Sequence, residues 1–142
     1  MKWDDCRRKG LIRKDPEAPA RVTASIALAR RFATSAENTL AIGEFEMAHI
    51  AAYNSAFHAG RALLFSHGFV ERSHACLAVA LRHFYGDDIF IEPFLGTFDK
   101  MRVSRHNVQY NGSLIRDEEA EFSCRFAHSL CDAVEERLNK PS

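Results

Sequence analysis

Ala48-His49-Ile50-Ala51-Ala52-Tyr53-Asn54-Ser55-Ala56-Phe57-His58-Ala59-Gly60-Arg61-Ala62-Leu63-Leu64 is the stretch on which the fold turns. It lies within a segment predicted to be one helix from about Phe45 to His67, stopped by Gly68. Ala48, Ala51, Ala52, Ala56, Phe57, Ala59, Ala62, Leu63 and Leu64 leave little of its circumference polar. A helix that is apolar on more than one side has to be covered on more than one side, so this one is predicted to be central.

The flanks supply the cover. A preceding helix is predicted from near Pro19, a residue tolerated in a first helical turn, to about Ile42, with Gly43 after it. Val22, Ile26, Ala29, Ala33, Ala36 and Leu40 recur every three or four residues and form one Ala-rich stripe. Downstream, Ser73 can cap a third helix that ends near Tyr85, before the turn Gly86-Asp87-Asp88. Ile89-Phe90-Ile91-Glu92-Pro93 has strand-like residues but no partner strand, and is expected to be a connection. A fourth helix is predicted from Phe94 to Asn111 before Gly112. The last begins between Ser113 and Asp117, with acids Asp117, Glu118 and Glu119 at its positive end, and runs to about Asn139. Its buried stripe is Ala120, Cys124, Ala127, Leu130, Cys131, Val134 and Leu138. Short connections between helices of similar length predict an all-α fold, an up-and-down antiparallel bundle of four to five helices. The bundle domain spans residues 18–142, and residues 1–17, with their charges and Pro16, are expected to be a loosely held N-terminal arm.

Bulk properties narrow the function classes. The 142 residues, 46% hydrophobic, suit one domain with a real core. Lys plus Arg equals Asp plus Glu at 19 each, which removes the strongly basic balance of a protein that lives on nucleic-acid phosphates. Any contact with RNA or a nucleotide has to be local. No apolar run marks a signal peptide or a membrane span, so a cytoplasmic protein with no membrane contact is expected. Cys6, Cys76, Cys124 and Cys131 contain no Cys-x-x-Cys pair and are read as reduced thiols.

Enzyme signatures fail on spacing. His49, His58 and His67 are nine apart, as are His74 and His83, and nine residues put successive members on opposite sides of a helix. No metal site is therefore expected, and no cofactor, since glycine-rich phosphate loops and a serine-centred nucleophile elbow are both missing. The fourth helix is the exception. Phe94, Phe98, Met101 and Val108 make its apolar stripe, and Arg105 falls inside that stripe. A guanidinium aimed at a contact face must find a partner. Arg102 and Gln109 lie beside it at three- and four-residue spacing, and His106 follows Arg102 at four, with Tyr110 one turn beyond His106. Arg102, Arg105 and Gln109 are candidates to bind phosphate, and Arg105, His106 and Tyr110 are candidates for chemistry on it. The competing reading is structural, with Arg105 bonded to a buried carboxylate or a helix end and Tyr110 filling a groove.

Tyr53 to Leu64, then Gly68 and His74, then Arg105 through Tyr110, resemble in their order the HEPN superfamily, in particular its short single-domain branch. In that branch a Tyr-x-x-x-Phe-His-Ala helix precedes an Arg-containing helix that ends in Tyr. The resemblance covers about Ala51 to Asn111. It implies a homodimer of four- or five-helix bundles, often paired with a minimal nucleotidyltransferase as toxin and antitoxin. It further implies RNA or nucleotide as ligand and, for many members, metal-independent ribonuclease activity from an Arg, four to six residues, then His. Here the positions that leave four, five or six residues between them and Arg102 hold Asn107, Val108 and Gln109, and His106, with three residues between, arrives one place early. Arg61 and His67 have the right spacing but sit on the second helix. What carries over is Arg105 and Tyr110, with Arg102 and His106 as their neighbours. The leading expectation is a dimeric toxin-type binder of RNA phosphate, joined through the fourth and second helices; the alternative is a non-catalytic protein that binds a nucleotidyltransferase partner.

Overall fold

A computed structural model describes residues 1–140. Helix α1 spans Trp3–Arg8 and strand β1 spans Ile12–Lys14, followed by a 3-10 turn at Ala18–Arg21. Helices α2 (Val22–Ala41) and α3 (Phe45–Ser66) come next, then strand β2 (Phe69–Glu71), α4 (His74–Tyr85), α5 (Glu92–Asn111) and α6 (Asp117–Leu138). The architecture is an all-α bundle with one small antiparallel strand pair, and the five long helices fall within a few residues of the predicted spans. The connection at Ile89–Ile91 leads straight into α5, with Pro93 in its first turn.

The central place of α3 follows from its composition. More than half of its 22 residues are buried, and it packs most extensively on α2 and α6. Two serines tie α2 and α3 through backbone oxygens: Ser25 Oγ donates to the His58 carbonyl at 2.8 Å, and Ser55 Oγ to the Ala29 carbonyl at 2.7 Å. Gly60 lies where α3 meets α4 and α5. A β-carbon there would stand 3.0 Å from Leu81 Cδ1 and 3.4 Å from Phe98 Cε2, so the missing side chain sets how closely these three helices approach.

Two expectations are corrected near the N-terminus. The first 17 residues, expected to be a loosely held arm, are packed on the body: Cys6 and Ile12 are fully buried, and the Trp3 ring stacks on His83 at 4.1 Å. β1 pairs with β2 in the register Ile12↔Glu71, Arg13↔Val70 and Lys14↔Phe69. Cys6 and Cys76, read as reduced thiols, form a disulfide across a separation of 70 residues, with Cα atoms 5.8 Å apart. No short motif marks a pairing at that distance, because it depends on α1 packing on α4. Cys124 and Cys131 are free and buried. Pro141 and Ser142, the end of the expected domain, lie outside the described residues. Among the described residues no helix is long and apolar enough to cross a membrane.

Candidate functional site

Helix α5 buries Leu95, Phe98, Met101 and Val108, and stops where Gly112 takes φ of 73°. Arg105, between Met101 and Val108 on the same side, is drawn inward with them and is half-buried. Its guanidinium lies over the Tyr53 ring of α3, 4.7 Å from the centroid. Nη1 donates to Gln109 Oε1 at 3.1 Å, and Nη2 donates to His74 Nδ1 at 3.3 Å. Nε is sealed from solvent with no hydrogen-bond partner among the described residues. Among the described residues no carboxylate pairs with Arg105, so the buried-carboxylate version of the structural reading is not what the fold builds.

His74 is the first residue of α4, a helix started by Ser73, whose hydroxyl accepts the Cys76 N–H at 3.1 Å. The imidazole stacks on Phe57 with centroids 4.1 Å apart, and its Nδ1 receives the Tyr53 hydroxyl at 2.8 Å. Burial, then the charges of Arg105, Arg102 and Arg61, holds the His74 pKa below the ordinary histidine value. Burial pushes the Tyr53 phenol up to about 12, so it keeps its proton.

His74 and Arg105 form one wall of a cavity of about 400 Å³ that Arg102, His106 and Tyr110 also line. Arg102 Nε donates to Asp99 Oδ1 at 2.9 Å. The His106 and Tyr110 rings stand 5.0 Å apart, and Tyr110 is 63% exposed. Four of the five candidates from sequence therefore share one cleft, while Gln109 is exposed and spends its oxygen on Arg105. Two arginines, two imidazoles and a phenol facing one volume suit an anion bearing several acceptor oxygens. A comparable cavity of about 450 Å³ between α5 and the start of α6 mixes Lys100 and Arg116 with Glu118 and Glu119, a poorer match for an anion.

Tyr53 and His74 were not among the site residues read from sequence, although both stand in the stretches that carry the family resemblance. The signal for Tyr53 was a lone phenol in an alanine-rich helix; for His74 it was a position just inside a helix cap. Arg61 and His67 are not brought together as a pair. Arg61 Nε donates to Glu71 Oε1 at 2.7 Å, while His67 bonds the Tyr85 hydroxyl at 2.9 Å and stacks on Phe84. Among the described residues no three His, Cys, Asp or Glu side chains are arranged to hold a metal ion.

Fold and cleft together define a small helical-bundle protein with a cation-lined recess where α3, α4 and α5 meet. Residues 22–137 match the family model described as HEPN domain, and the chain belongs to that family. No curated protein matches the chain.

Proposed function

We propose that this protein is a homodimeric HEPN binder of RNA or nucleotide phosphate, acting as the toxin of a toxin–antitoxin or defence module whose antitoxin is a nucleotidyltransferase. The observation that carries the reading is the Arg105 guanidinium, half-buried, without a carboxylate and facing a cleft with Arg102 beside it. A desolvated cation with hydrogen-bonding capacity to spare gains more from an incoming phosphate than a surface arginine does. RNA cleavage, as an extension of this reading, proceeds without a metal. His106 would take the proton of the ribose 2′-hydroxyl as the 2′-oxygen bonds phosphorus, Tyr110 would give a proton to the departing 5′-oxygen, and Arg105 would balance the charge of the phosphorane.

The test is titration of a fluorescein-labelled single-stranded RNA, with light scattering at micromolar protein. Saturable binding by a species of twice the chain mass is expected, with binding lost in Arg105→Ala and reduced in Arg102→Ala. An Arg105→Ala protein that melts far below wild type yet binds RNA as before would overturn the assignment. A monomer with full binding removes the dimer from it. Cleavage, if catalysed, persists in excess chelator. A second reading rests on the exposed Val103, Tyr110 and Leu114 along and just beyond α5, an apolar edge suited to a protein partner. In that reading a purified nucleotidyltransferase is retained by wild type and not by Val103→Asp, and RNA does not bind.

A further inference from the structure

We infer that His74, supplied from α4, is the imidazole that grips phosphate in this cleft, donating Nε2–H to a phosphate oxygen while Tyr53 and Arg105 hold its Nδ1 as an acceptor. The inference rests on the phosphate-binding reading above and adds a residue on a different helix from the one that carries the arginines.

Hydrogen-bond chemistry decides the tautomer. A guanidinium has donors and no acceptor, so the contact between Arg105 Nη2 and His74 Nδ1 at 3.3 Å requires a lone pair on Nδ1. The Tyr53 hydroxyl, 2.8 Å from the same nitrogen, then has to donate to it as well. A proton on Nδ1 would point at an arginine N–H and leave the phenol as the sole acceptor. The neutral ring with its proton on Nε2 is the form that satisfies both neighbours. Stacking on Phe57 and the position at the start of α4 fix the plane of the ring.

Nε2 is the free end. It has no hydrogen-bond partner among the described residues and is not one of the atoms sealed from solvent. His74 lines the same cavity as Arg102 and Arg105, so an anion seated there meets two guanidinium groups and an oriented imidazole N–H. His106 lacks this preparation. It is exposed, its ring leans on Tyr110, and among the described residues no hydrogen bond sets its tautomer. A neutral imidazole held in this way stabilises negative charge as a fixed donor and does not itself change protonation state. Its part is to grip the phosphate, with proton transfer left to other groups.

The two amide analogues of histidine separate the roles of the two ring nitrogens. In His74→Gln the amide nitrogen reaches the place of Nε2 and can donate, but nothing accepts at Nδ1. In His74→Asn the amide oxygen takes the place of Nδ1 and accepts from Tyr53 and Arg105, but nothing reaches Nε2. Titration of the labelled RNA should show His74→Ala weakened by about tenfold or more, the size expected for a lost bond to a charged acceptor. His74→Asn should be about as weak, and His74→Gln should stay within about threefold of wild type. Thermal melts accompany each titration. If His74→Asn binds like wild type and His74→Gln does not, His74 only positions Arg105 and the inference is overturned; it is equally overturned if all three variants bind like wild type. Should a variant fail to fold, the imidazole nitrogen spectrum of the wild-type protein decides, since a proton found on Nδ1 contradicts the assignment. Failure of the wider reading looks different: wild type binds no RNA, or Arg102→Ala and Arg105→Ala bind it unchanged.

Discussion

Arg61 and Arg105 are chemically identical side chains in similar settings, and the fold treats them in opposite ways. Each guanidinium lies over an aromatic ring, Arg61 at 4.9 Å from the Phe65 centroid and Arg105 at 4.7 Å from that of Tyr53. Arg61 is closed by Glu71, a carboxylate only 8% exposed whose pKa burial raises and Arg61 pulls back down. Arg105 is met by an amide oxygen and an imidazole nitrogen, both neutral. A charge neutralised inside the protein contributes to holding the β2 edge against α3. A charge left uncompensated beside a cleft is free to answer a ligand.

Stability is where the contrast should be widest. Arg61→Ala strands the buried Glu71 carboxylate and should cost about 3 kcal/mol or more in urea unfolding, with RNA affinity unchanged. A loss under about 1 kcal/mol would break the distinction between the two arginines. Arg105→Ala strands no charge, so its unfolding free energy should stay within about 1 kcal/mol of wild type while RNA affinity falls by about tenfold or more.

A smaller effect links the Arg61 region to pH. Burial, then the charges of Arg61 and His74, holds the His58 pKa down at about 4. The folded protein therefore resists a proton that the unfolded chain accepts near 6.5. His58 contributes stability that is complete above that pH and is lost as pH falls through about 4. Thermal melts across this interval should drop on the acid side, and the His58 proton resonance in Arg61→Ala should titrate at higher pH than in wild type. An unchanged midpoint would mean that Arg61 has no part in setting it. The smallest change belongs to Tyr110→Phe, which removes an exposed hydroxyl. It should leave the melt within about 0.5 kcal/mol and RNA affinity within about threefold. A larger loss of affinity would give the phenol a share of the grip now assigned to Arg105.

Helix ends were legible because they are local. Gly43, Gly68 and Gly112 all take positive φ where a stop was expected, and Ser73 caps α4 as its position suggested. The N-terminal segment was not legible for the converse reason. Three-residue strands carry no usable period, and Cys6 meets Cys76 only after α1 has docked on α4. The same division runs through the cleft. Arg102, Arg105, His106 and Tyr110 share one helix, so a wheel placed them together, and Arg105 inside an apolar stripe announced that it needed a partner. Which partner it finds depends on α3 and α4 converging at Gly60, and no spacing in the chain encodes the meeting of Tyr53 and His74 with Arg105.

The disulfide turns part of the chain into a ring. Everything between Cys6 and Cys76, including all of α2 and α3, lies inside it, while α5 and α6 trail from one end. The α2–α3 hairpin turn is the open point of that ring, with Ile42 74% exposed beside Gly43. A single protease cut at that turn divides the polypeptide into two fragments that remain covalently joined through Cys6 and Cys76. The nicked protein should run as one band on a denaturing gel without thiol and as two bands with it.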